Sequence, residues 1–177
     1  MHQGPTISIF VFMFALDASC AETIAYKDTR FGIPVKQFQA KNPDFHCPEL
    51  PAPLMDCLSA SGTYAGISVI KARAAFVDGM LSHVDLSMVE DPEEHEAISA
   101  FRTIEEALIS KYGQPIRTTD NVTTLGRVIS FWESNGLSIQ LTRSKNERGS
   151  RVHVMMGRDD HLKRSVEIRK SKAKKDI

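Results

Sequence analysis

Between Tyr64 and Trp132 the apolar residues switch from a spacing of two to a spacing of three and four, and then back. Ile70, Ala72, Ala74 and Phe76 alternate with other residues, which predicts a strand over Tyr64 to Phe76 with that set on one face. Asp78-Gly79 follows, the dipeptide that tight hairpin turns favour because both central positions need positive φ. Val84, Leu86 and Met88 then alternate with His83, Asp85 and Ser87, as in a half-buried partner strand. At Asp91-Pro92-Glu93-Glu94 the signals change to a helix start: a capping side chain, a proline that loses no bond there, and acids at the positive end of the dipole. Ala97, Phe101, Ile104, Leu108 and Tyr112 form its apolar stripe, Gly113 closes it and Pro115 prevents its return.

Three further strands are expected after a polar loop. They are Arg127 to Trp132, then Leu137, Ile139 and Leu141 after a Ser134-Asn135-Gly136 turn, then Val152, Val154 and Met156 after a turn at Lys145 to Gly149. Upstream, Pro34 can begin one or two helical turns over VKQFQAK, stopped at Asn42-Pro43, and a proline- and cysteine-rich loop follows. The fold class is therefore α+β: an antiparallel sheet of about five strands in ββαβββ order, with one long helix packed on one face. The other face is expected to be polar and open, or to lie under the N-terminal segment.

The organisation expected is residues 1–21 as a signal peptide, 22–158 as a single domain and 159–177 as a basic, flexible tail. Ile7 to Leu16 is an apolar run of ten residues, too short to span a bilayer and of the length found in secretory leaders. Ser19 and Ala21 fit a cleavage site before Glu22, although no Lys or Arg precedes the run. Cys20, after Ala18-Ser19, raises a lipoprotein alternative, and a buried N-terminal element of a cytosolic protein is a third. An exported, periplasmic location is the working expectation.

Export decides how Cys47 and Cys57 are read. In an oxidising compartment this pair is expected as a disulfide. A metal site would have only these two thiols and His46, with no fourth ligand at a standard spacing, and no C-x-x-C redox motif occurs. The 22 basic and 22 acidic residues balance overall, but Gly157 to Ile177 carries eight bases and four acids while Glu22 to Met156 is net −3. An acidic body argues against nucleic acid as partner. The tail could meet anionic lipid.

Phe31-Gly32-Ile33-Pro34, Cys47 with Cys57, Asp78-Gly79, Lys111-Tyr112-Gly113-Gln114-Pro115 and Trp132 together resemble a group of small exported bacterial α+β proteins of unknown function. The resemblance covers roughly residues 31–158. It implies a fold and export, and carries no activity.

Candidate chemistry is sparse. His83, Asp85 and His153 sit on strands opposite the apolar sets, so they could gather on the polar face to hold zinc or share a proton. His46 and His95 are expected to be solvated, and the acids at Glu90, Asp91, Glu93, Glu94 and Glu96 to serve the helix dipole. No G-x-S-x-G elbow or glycine-rich phosphate loop occurs. No catalytic residue, cofactor or metal is assigned. The first expectation is a binding or interaction module whose partner is a protein or an envelope component. The alternatives are a small exported hydrolase or metal-dependent enzyme using that His/Asp cluster, and an envelope-associated protein contacting lipid or cell wall through its tail.

Overall fold

The computed structural model describes residues 24–49, 52–59, 62–91, 93–121, 126–147 and 149–175, and the leader expected over 1–21 lies outside them. The chain is α+β and its sheets are antiparallel throughout, as the hydrophobic pattern predicts. The five expected strands are present as β5 (Ile67–Val77), β6 (Met80–Asp91), β8 (Arg127–Ser134), β9 (Leu137–Asn146) and β10 (Gly149–Arg158). They lie side by side in the order β5-β6-β10-β9-β8. Among the described residues the sheet nevertheless has eight strands. β3 (Leu54–Ser59) and β4 (Gly62–Tyr64) add to the outer edge of β5, and β7 (Arg117–Asn121) adds to β8. A short pair, β1 (Ala25–Tyr26) and β2 (Thr29–Arg30), stands apart. β7, which reads RTTDN, escapes the pattern because an edge strand is held by its backbone ladder and needs no apolar alternation. β3 does alternate, burying Met55, Cys57 and Ser59, but lies in a stretch whose prolines and cysteines read as loop.

The long helix, α2 (His95–Tyr112), carries the chain from the centre of the sheet to its far edge, from which β7 to β10 return by antiparallel pairing. Its 18 residues reach about 27 Å at 1.5 Å per residue, more than the roughly 19 Å of four strand spacings. Asp91 reaches the helix start from outside it, with Glu94 rather than Asp91 at the N-cap position: the Asp91 carboxylate accepts from the backbone N–H groups of Glu93 and Glu96, both at 2.8 Å. Regular helix begins only at His95, after Glu94 at φ 73°. At the other end Trp132 Nε1 donates to the Gly113 carbonyl at 2.8 Å and ties the helix terminus to β8.

One apolar core fills the space under α2. It joins Ala97, Phe101, Ile104 and Leu108 of the helix to Val84, Leu86 and Met88 of β6 and to Val152, Val154 and Met156 of β10. α1 (Val35–Lys41) extends this layer, with Phe38 fully buried and packed edge-to-face on Phe45 and Phe76 at 5.0 and 5.4 Å. The N-terminal segment thus lies on the core side. Ile70 does not share the face of Ala72, Ala74 and Phe76. A bulge between Val69 and Lys71 buries Val69 in its place and leaves Ile70 50 % exposed. Both hairpin turns take the positive φ their sequences allow, at Asp78-Gly79 and Asn135-Gly136.

The single-helix layout also changes. The segment expected as a basic, flexible tail forms another helix, α3 (Asp159–Lys175), the third among the described residues, which packs against β5, β6 and β10. It covers one end of the sheet's second face. The pattern of 159–177 conceals this because the helix docks through few apolar residues, and a serine, Ser165, is buried there at 7 % exposed.

Cys47 and Cys57 are disulfide-bonded. Cys57 belongs to β3 and is fully buried, and the neighbouring His46 and Leu58 exchange both backbone hydrogen bonds, at 2.8 and 2.9 Å. The bond therefore holds a proline-rich loop to the sheet edge. Chain entropy for so short a loop sets its stabilisation at about 3 kcal/mol, and Pro48, Pro51 and Pro53 lower it by stiffening the open chain. Reduction should loosen residues 45–58 while leaving the amides of α2 protected, which hydrogen exchange with and without reductant checks. Phe101→Ala removes a side chain only 6 % exposed from the middle of the stripe, and should cost roughly 3–5 kcal/mol in denaturant unfolding.

Candidate functional site

Alternation along β6 and β10 sends His83, Asp85, Ser87 and His153 away from the core, as the sequence implies. They do not all meet. His153 stands across the strand pair from Ser87, and its ring reaches back to Asp85: Nδ1 lies 3.2 Å from Asp85 Oδ1 and Nε2 lies 3.3 Å from Ser87 Oγ. Arg73, opposite Asp85 on β5, donates from Nη2 to Asp85 Oδ2 at 3.1 Å and lies 3.7 Å from Asp56. The hydrogen bond from His153, joined by the charge and bond of Arg73, holds the Asp85 carboxyl below its ordinary value against partial burial. An ionised Asp85 only accepts, so His153 donates from Nδ1, and in the neutral ring Nε2 would then accept the Ser87 hydroxyl.

His83 lies outside this group. It faces Gly157 on β10 under the end of the sheet that α3 covers, and is 5 % exposed. A Cβ at position 157 would come within 2.5 Å of the His83 Cβ, so glycine is what lets the two strands and the ring coexist. Its Nδ1 is 3.2 Å from Ser82 Oγ. Burial, reinforced by the charges of Arg73 and Arg169, lowers the His83 pKa, with Asp85 and Asp56 opposing. The expected grouping of His83 with Asp85 and His153 is thus replaced by Asp85, His153, Ser87 and Arg73. Ser87 is visible in the alternation of β6, whereas nothing in the sequence connects Arg73 to it.

Beyond the end of α3 the second face stays uncovered. A shallow depression of about 360 Å³ lies there, lined by Asp85, Arg127, Gln140, Thr142, Arg151 and His153, among others. Arg151 pairs with Glu90 at 2.9 Å, while Arg127 is exposed. The acids at the helix start are engaged elsewhere: Glu94 binds Arg143 and, at 2.6 Å, Lys145. Among the described residues no group of three or more His, Cys, Asp or Glu is placed to share a metal ion. No family model, curated protein or solved structure matches this chain.

Two kinds of chemistry are open to this arrangement. As a fixed polar surface it offers two guanidinium groups, an amide and an imidazole held on rigid strands. As a Ser–His–Asp relay it could activate the Ser87 hydroxyl. The backbone around Ser87 lies in a strand laddered on both sides, so an oxyanion would have to be met by a side chain, and Lys71 stands directly across from Ser87 on β5.

His83 generates a pH prediction. Its folded pKa lies below the unfolded value near 6.5, so its contribution to stability is present above about pH 6.5 and is lost as pH falls below it. Amide exchange in α3, corrected for intrinsic rates, should rise from about pH 7 to about pH 5 while α2 stays protected, and His83→Asn should flatten that dependence.

Proposed function

We propose that this chain is an exported binding module that receives its partner on the uncovered polar half of the sheet's second face. The carrying observation is the asymmetry of that face: α3 lies over one end, and the other end is a shallow depression of about 360 Å³ in which Asp85 and His153 are already oriented by bonds to Arg73 and Ser87, Gln140 is bonded to Thr142 and Arg151 is paired with Glu90. Groups fixed before binding lose little freedom on contact. Arg127 and Arg151 on the lining suit a partner that presents a carboxylate or another anionic group. The apolar leader over Ile7 to Leu16, the disulfide and the resemblance to small exported proteins support export as the setting.

The test is site-specific cross-linking in an envelope extract. A photoreactive group placed at Gln140 should capture a partner that the same group at Glu106 on α2 does not, and Arg127→Glu should weaken capture at least tenfold. Equal capture from both positions would defeat this reading. A second reading, a small hydrolase, rests on the relay at 3.2 and 3.3 Å. In it Ser87 Oγ attacks an acyl carbonyl and its proton passes through His153 Nε2 to the leaving group. Labelling of Ser87 by a fluorophosphonate, abolished in His153→Ala, would favour that reading over a pure binding role.

A further inference from the structure

Helix α3 has two chemically different sides. Its inner side docks on the sheet through Leu162, Ser165 and Ile168, spaced three apart, of which Ser165 is buried and the other two partly so. The acids at its start are occupied. Asp159 accepts from Ser138 Oγ at 2.8 Å, and Asp160 accepts two bonds from Arg158 at 3.0 and 2.7 Å. From Lys163 to Lys175 the sequence then carries seven bases and one acid, Glu167. Lys163, Val166 and Lys170 recur at three and four residues on the outer side, with both lysines exposed and Val166 49 % exposed between them. The body from Glu22 to Met156 is net −3, so the excess of positive charge lies on this one helix.

We infer that the outer face of α3 binds the anionic headgroups of a lipid bilayer, with the helix lying flat on the membrane and remaining docked to the sheet. Charge complementarity selects this occupant. Two exposed lysines about two turns apart, Lys163 and Lys170, match a planar, diffuse negative surface, to which each adds about fivefold in affinity, whereas Arg164 is already paired with Asp78 and Glu167. Their long aliphatic stems and the exposed Val166 suit the headgroup boundary. A nucleic acid is the poorer match, because α3 contains no Phe, Trp or Tyr on which a base could stack. This surface lies apart from the polar depression and does not depend on the binding role proposed for it.

The experiment is co-sedimentation of the disulfide-bonded protein with vesicles of phosphatidylcholine alone and of phosphatidylcholine mixed with phosphatidylglycerol. Binding is expected only to the mixed vesicles. It should be largely lost as ionic strength rises from about 0.1 M to about 1 M, where the Debye length falls from about 10 Å to about 3 Å. The double variant Lys163→Gln/Lys170→Gln should bind at least tenfold more weakly, and Lys163→Glu/Lys170→Glu more weakly still, with far-UV circular dichroism and melting temperature unchanged. Equal binding to both vesicle types, undiminished binding by the folded double variants, or tighter binding to a single-stranded oligonucleotide than to mixed vesicles at the same salt would overturn the inference.

Discussion

The register of β6 between β5 and β10 is the constraint on which the rest of the molecule depends. Side chains on a strand alternate with a period of two, so one pairing puts Val84, Leu86 and Met88 under α2 and sends His83, Asp85 and Ser87 to the other face. A slip by one residue would drive an ionised aspartate into the apolar layer and expose three aliphatic side chains. Neighbouring features reinforce the register. The Asp78-Gly79 turn sets the β5–β6 hairpin, and Gly157 permits the close approach of β10 at His83. The Gly32 N–H donates to the Leu81 carbonyl at 2.8 Å and Leu81 N–H donates to the Ile33 carbonyl at 2.8 Å, which seats the Phe31–Pro34 segment beside the start of β6.

The two faces of the sheet answer the demand for burial differently. The first is closed by α2, α1 and the aromatic cluster around Phe38, and its stability comes from apolar area. The second is closed only in part, by a helix that brings more charge than apolar surface. Where α3 covers, burial lowers a histidine's pKa. Where it does not, Asp85 is kept ionised by His153 and Arg73, and the face remains a set of oriented polar groups. The same strand therefore supplies two titratable groups with opposite fates, separated by two residues.

Much of the scaffold is legible in the sequence because local chemistry decides it. Period-two and period-three-to-four spacing marks the five inner strands and α2, Asp-Gly and Asn-Gly mark the turns, and Asp91 and Gly113 mark the helix ends. The cysteine pair is legible as a disulfide once compartment is weighed. The candidate site is legible only in halves: His153 and Asp85 show as polar positions on their strands, but 68 residues separate them and no local rule makes them neighbours.

What only the tertiary structure decided follows from that distinction. β4 and β7 are strands because an edge is available to pair with, whatever their own pattern, and β3 pairs at that edge with residues that alternate between buried and exposed. α3 is placed by the half-closed face it lies on, since its sequence alone lacks the apolar stripe that announces a docked helix. His83 stands apart from the expected cluster because the register sets it opposite Gly157, four positions along β10 from His153, while Ser87 and Arg73 joined because strand order placed β6 between β5 and β10. The sequence by itself determined periodicity, turns and caps, which depend on residues within a few positions of one another. Strand order, edges and the membership of the polar cluster depend on which distant segments lie side by side, and that is settled only when the sheet closes over its core.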